Sequence, residues 1–167
     1  MRIGVFDSGV GGITVLTELR RQLRDSSFVY LGDTANVPYG PKSAQHVERL
    51  SVDCALRLKK EGVDAVVVAC NTASALALPA IQKAVGKIPV HGVVEPGVQS
   101  VANAIALLGS KAAPVLVLAT RATIRSRAYG TRLEALLGPQ GHPIIEQACP
   151  LLVPMIEEGW IDHPILH

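Results

Sequence analysis

Six short apolar runs punctuate the chain: "RIGVF", "FVYLG", "AVVVA", "VHGVV", "PVLVLA" and "PIIEQA". Helix-patterned stretches separate them, and this alternation constrains the fold more than any other feature. Strands that are apolar at consecutive positions suit sheets covered on both faces, as parallel sheets are. Parallel strands need long crossovers, which helices supply. The intervening patterns agree. Residues 13 to 24 place Ile13, Leu16, Leu19 and Leu23 on one stripe. Residues 43 to 61 open on Ser43, a good N-cap, and stop before Gly62. Further helices are expected over 73–85, 97–108 and 122–137. The reading is an α/β fold with mainly parallel sheet. Pro96 and Gly97 are expected to interrupt the chain between a strand and a helix, as a loop or as a domain boundary.

Composition narrows the function classes. The 167 residues suffice for one ordinary domain or two small ones. Only 18% are charged and 49% are hydrophobic, so a sizeable core is available. A net charge of +2 gives no strong attraction to nucleic acid or to an anionic membrane. Polar residues and prolines break every apolar stretch well short of the roughly 20 residues of a membrane span. Asp7 interrupts the N-terminal run where a signal peptide needs continuous apolar residues. Three cysteines, Cys54, Cys70 and Cys149, are too few and too odd for a disulfide framework. The expectation is a cytoplasmic protein in a reducing compartment. No histidine–cysteine spacing suggests a metal site.

In open α/β sheets ligands bind at the carboxyl ends of the strands. Those ends carry Asp7 and Ser8, Asp33 and Thr34, Cys70 with Asn71 and Thr72, Glu95, and then Thr120 and Thr123. The turn "DSGVGG" would let a backbone approach a ligand closely. A dinucleotide fingerprint fits it poorly, because Thr14 stands where the third glycine belongs. A tight turn and a small-anion site both stay open.

Cys70 ends an apolar run where a strand meets a helix. One reading makes it a small buried hydrophobe. The other makes it chemical, since a helix N-terminus favours the thiolate. A thiolate attacks carbon as a nucleophile or removes a proton as a base. Of the three thiols, Cys70 is expected to be the most reactive, in a cleft, with Cys54 in a helix core and Cys149 less accessible.

Taken in order, "GVFDSGVGGITVL", "YLGDTANVPYG", "VVACNTASALALP", "VVEPGV", "TIRSRAYG" and "CPLLVPMIEEG" resemble the bacterial glutamate racemases, along the whole chain. Aspartate and hydantoin racemases and arylmalonate decarboxylases are the wider relatives. The resemblance implies two α/β lobes, an N-terminal domain over 1–95 with the first catalytic cysteine and part of a second domain over 96–167. It implies cofactor-independent interconversion of L- and D-glutamate for peptidoglycan synthesis, with glutamate as the small-molecule partner and a homodimer as the assembly. In that family two cysteines face opposite sides of the substrate α-carbon. Cys70 matches the first, and Asp7 and Ser8 match the first strand end, with Asp7 assisting. Pro38, Tyr39 and Gly40 match a substrate-binding loop. Asn71 and Thr72 match ligands of the substrate carboxylate, and Thr120 and Thr123 match paired threonines of the second domain. Glu157 matches a carboxylate that assists the second cysteine, with Glu158 as the alternative.

The family's second cysteine lies in a "CTH" block that this sequence does not contain, and Cys149 matches a non-catalytic "CP" element. The expectation is therefore a truncated racemase with an incomplete second lobe, which as the 167-residue chain forms no measurable D-glutamate and retains at most slow α-proton exchange of one enantiomer at Cys70. A one-thiol decarboxylase-like enzyme, another amino-acid racemase and a non-enzymatic binding fragment of the same fold are the alternatives.

Overall fold

The computed structural model describes residues 1–108, 113–160, 162 and 164. The first four apolar runs form one sheet: β1 (Arg2–Asp7), β2 (Ser27–Gly32), β3 (Ala65–Val68) and β4 (Val90–Gly92). All pair in parallel, in the order β2-β1-β3-β4. Phe6 of β1 is level with Leu31 on one side and Val68 on the other, so three strand ends lie side by side. The chain leaves β1 toward β2 on one side and later adds β3 on the other. That reversal opens a crevice between the ends of β1 and β3.

Helices cover both faces of this sheet. On one side α2 (Ala44–Lys60) and α4 (Leu78–Val85) bury Leu58, Ile81 and Val85 against Phe6, Val66 and Val68. On the other, α1 (Ile13–Gln22) sets Val15, Leu16 and Leu19 against Ile3 and Val5. Each fully buried aliphatic side chain contributes about 1.5–3 kcal/mol. Ile13 and Leu23, expected on the buried stripe, lie at its ends and are exposed. Ser43 caps α2 as expected, its side chain accepting from the His46 N–H.

Each of the three later helices departs from its expected span. The 73–85 segment is two helices, α3 (Asn71–Leu76) and α4, joined at Ala77. Pro79 explains the break, because its ring would collide with the carbonyl four residues earlier. Pro96 and Gly97 do not interrupt the chain. They lie in the first turn of α5 (Val94–Leu108), where a missing N–H costs nothing because it has no intrahelical partner. The 122–137 segment is α6 (Arg121–Ser126) and α7 (Ala128–Leu137), split by Arg127 in the left-handed region at φ 57°. Arg127 bridges Glu134 and the buried carboxylate of Glu146, which fixes this turn from the side-chain end.

A second parallel sheet joins β5 (Val115–Ala119) to β6 (Ile144–Ala148). Helices α5 and α7 cover one face, where Val98, Leu133 and Leu137 pack with Val115, Val117 and Ile144. The other face is open among the described residues. Leu116 is 57% exposed, Leu118 53% and Ile145 50%, against the expectation of strands covered on both faces. Neighbouring exposed apolar side chains in one sheet promote association. Leu116→Lys combined with Leu118→Glu should therefore lower concentration-dependent light scattering. Stability should stay within about 0.5 kcal/mol, as exposed substitutions usually leave it. A large drop in the urea midpoint would show that this face is packed in solution.

Candidate active site

The crevice between β1 and β3 holds the residue types that the strand-end rule singled out. Asp7 closes β1, and its Oδ2 accepts from the Gly9 N–H at 3.0 Å. Cys70 follows β3 and occupies the N-cap position of α3. Its thiol donates to Ser8 Oγ at 3.5 Å, and its sulfur accepts from the Ala73 N–H at 3.5 Å. Sixty-two positions apart in sequence, Ser8 and Cys70 meet because their strands are neighbours. Tyr30 donates from its hydroxyl to the Gly9 carbonyl at 3.0 Å and steadies the same turn.

The electrostatics differ from the sequence expectation. A helix N-terminus alone would favour the Cys70 thiolate, yet burial pushes the thiol up and the Asp7 charge pushes it further. The Ser8 and Ala73 contacts oppose this without reversing it. In a helix of six residues, a small dipole is outweighed by desolvation beside an anion. Nor is Cys70 the accessible thiol. It is 5% exposed and Cys54 4%, while Cys149 is partly exposed.

A second group of side chains faces Cys70's neighbour. Thr72 Oγ1 lies 3.0 Å from Thr120 Oγ1 and 3.3 Å from Thr123 Oγ1, and the last two are 3.0 Å apart. This closed triangle of hydroxyls spans both sheets. Thr120 also caps α6, accepting from the Thr123 N–H at 3.3 Å. Gly40 is pressed against the triangle. A Cβ there would come within 2.7 Å of Thr120 Cβ, and the Gly40 carbonyl accepts from the Ala122 N–H at 3.2 Å.

Tyr39 turns the other way. Its ring is in the core, 1% exposed, and its hydroxyl donates to Asp33 Oδ2 at 2.7 Å. Asn36 donates to the same carboxylate, so Asp33 ties down the loop that holds Pro38, Tyr39 and Gly40. Asn71 is exposed, and its Oδ1 accepts from the Tyr129 hydroxyl at 2.6 Å. Neither Asp33's hold on the loop nor Tyr129's bond to Asn71 was singled out from the sequence. The only signal was that both residues fall inside the ordered motif blocks. Glu157, at the end of α8 (Leu152–Glu157), lies over the Gly9 backbone, where a Cβ would meet its Oε1 at 2.8 Å. Burial raises its carboxyl, with the Asp7 charge adding to it. Glu157 therefore faces the Asp7 turn.

A cavity of about 520 Å³ runs from Asn71, Thr120 and Thr123 along β5 to Cys149. Among the described residues no three of His, Cys, Asp and Glu converge as a metal-ligand set. No helix among them is long and apolar enough to cross a membrane.

Residues 3–159 match the family model described as Asp/Glu/Hydantoin racemase. The chain belongs to that family. It is 48% identical over 165 residues to the glutamate racemase of Aquifex pyrophilus, covering 99% of this chain and 61% of that protein. A crystal structure of glutamate racemase from Francisella tularensis in complex with D-glutamate superposes with a TM-score of 0.86 at 37% identity, covering 99% of this chain and 59% of that one. The Campylobacter jejuni glutamate racemase structure gives a TM-score of 0.87 at 40% identity, over 99% and 64%. The chain thus spans about six tenths of the length of these racemases. Their likeness covers the α/β architecture with parallel sheets, as the alternation of strands and helices predicts.

The buried thiols of this racemase-family chain make its stability depend on pH. Burial, with the Asp33 charge second, pushes Cys54 up to about 11. The folded state therefore holds the proton more tightly than the unfolded chain, whose thiol titrates at about 8.5. This contribution is complete below the unfolded value and is lost as pH rises toward about 11. Urea midpoints should be level near neutrality and fall above about pH 9, with Cys54→Ala removing part of the fall. A midpoint that rises over this range would contradict the burial of both thiols.

Proposed function

We propose that this chain carries the Cys70 half of a cofactor-independent glutamate racemase. Residues 1–95 form the thiol-bearing lobe in this reading, and residues 96–167 belong to a second lobe. The observation that carries it is the meeting of Cys70, Ser8 and Asp7 at the strand reversal, two residues from the hydroxyl triangle of Thr72, Thr120 and Thr123. Names and ligands of the relatives point the same way: the Francisella tularensis racemase was crystallised with D-glutamate.

The chemistry follows from this arrangement. Racemisation removes a weakly acidic proton next to a carboxylate and leaves charge there. The Asn71 amide is a donor for that carboxylate, the threonine hydroxyls would turn to it out of their triangle, and donors held in place stabilise the developing charge. Cys70 is the base. Burial and the Asp7 charge favour its protonated thiol. A substrate ammonium group beside Asp7 would cancel that negative charge and favour the thiolate as the ligand arrives. Pro38 and Gly40 lie on the loop packed against Thr120, Tyr39 anchors that loop from the core, and Glu157 stands over the Asp7 turn as a further acid or base. Peptidoglycan precursor supply, a cytoplasmic location and pairing of two copies belong to the same reading.

Incubation with each glutamate enantiomer in D₂O tests it, with mass spectrometry reading α-deuterium and chiral chromatography reading configuration. Deuterium in glutamate supports the assignment. Deuterium in aspartate alone would move the substrate to another member of the family. No exchange in any acidic amino acid would overturn the proposal for this chain.

A further inference from the structure

We infer that Tyr129 is a positioning residue that sets the orientation of the Asn71 amide across the two sheets, leaving the amide NH₂ as a donor for a ligand carboxylate. The role of that donor rests on the racemase reading above. The positioning itself rests on geometry.

Tyr129 is the second residue of α7, just past the left-handed turn at Arg127. Its hydroxyl donates to Asn71 Oδ1 at 2.6 Å, joining residues 58 positions apart. Asn71 opens α3 directly after Cys70, on the first sheet's side. Tyr129 packs with the core of the second. Its ring is seated on the α5 backbone at Gly97, where a Cβ would come within 3.1 Å of both Cε1 and the hydroxyl. A Cβ at this position would press the ring out by a few tenths of an ångström. The phenol is thus fixed by α5 and α7 and delivers one donor to one atom of Asn71.

An amide has one oxygen and one NH₂ on opposite branches. When its oxygen is engaged by a fixed donor, the NH₂ is directed to the other side. Asn71 and Tyr129 line one cavity together with Thr120 and Thr123, so the held amide borders the same space as the threonine hydroxyls. Without the phenol, the exposed amide would rotate freely and flip. The ligand would then bear the cost of ordering it.

The test uses the 167-residue chain with D- and L-glutamate as probes. Tyr129→Phe keeps the ring on Gly97 and removes only the hydroxyl. It should weaken glutamate binding roughly three- to ten-fold, the range of one neutral hydrogen bond. In an Asn71→Ala background the same change should have no further effect, because a residue acting through Asn71 has nothing left to position. Gly97→Ala, which crowds the ring with the phenol intact, should give a smaller loss than Tyr129→Phe. The side-chain amide resonances of Asn71 in a ¹⁵N spectrum should shift and sharpen toward a free amide in Tyr129→Phe without ligand. A loss of the same size in the Asn71→Ala background, or unmoved Asn71 resonances, would overturn the positioning role. Failure of the unmutated chain to bind either enantiomer would instead strike the racemase reading, and the Asn71 resonances alone would then decide the inference.

Discussion

Serine in place of Cys70 is expected to reduce α-proton exchange of glutamate by at least about 10²–10⁴-fold, the usual worth of a positioned acid or base. A hydroxyl is a far weaker acid than a thiol, so at neutral pH it supplies almost none of the anionic form. The substitution is nearly isosteric, and serine at this N-cap position still accepts from the Ala73 N–H. Loss of exchange without loss of fold would therefore isolate the thiol. Cys54→Ala and Cys149→Ala should leave exchange within about two-fold of the parent, since neither thiol contacts Ser8 or Asp7.

The same experiment carries a stereochemical expectation. A single base approaches the α-carbon from one face, and inversion needs an acid on the other. Among the described residues Cys70 is the thiol bonded to Ser8. The 167-residue chain should then place deuterium in one enantiomer and form little of the other. Robust racemisation by this chain would show a second proton donor within it. Cys149 is the first residue to re-examine, because it lines the cavity that begins at Asn71.

Gly40→Ala is expected to have the second-largest effect. The new methyl would lie 2.7 Å from Thr120 Cβ and 2.8 Å from its Cγ2. Thr120 has little room to yield, since a β-branched side chain is stiff and its hydroxyl is held by Thr72 and Thr123. Either the loop lifts, breaking the Gly40–Ala122 bond, or the hydroxyl triangle opens. Overpacking of this kind costs about 1–3 kcal/mol. Misplacing the carboxylate donors by about 1 Å costs on the order of 10²-fold in rate. Both urea midpoint and exchange rate should fall, and exchange should fall by more than an equally destabilising change in the α2–β3 core. An unchanged rate with a lowered midpoint would mean that Gly40 supports the fold and has no bearing on the site.

The strands were legible from the sequence because consecutive apolar residues bounded by polar ones have few alternatives in a parallel sheet. The candidate site was legible for the same reason. Once strand ends are placed, Asp7, Ser8, Cys70 and Thr72 must gather at one edge, and the structure brings them there. Ser43 shows how local chemistry sets a helix start, because a cap acts within four residues.

Other features depended on distant neighbours. The left-handed turn at Arg127 is held by Glu134 and Glu146, and the apolar pattern over 122–137 gives no sign of it. Tyr39 lies in a loop beside site residues, yet its ring packs in the core and its hydroxyl donates to Asp33. The open face of the β5–β6 sheet reads in sequence like the covered face of β1–β4, because alternation cannot say how many layers pack against a strand. Cys70 marks the boundary between the two kinds of information. Its place at a strand–helix junction is written in the sequence. Its protonation is decided by burial and by the charge of Asp7, sixty-three positions away in sequence and brought close only by the pairing of β1 with β3. Desolvation and Coulomb energy depend on distance in space, and only the fold sets that distance.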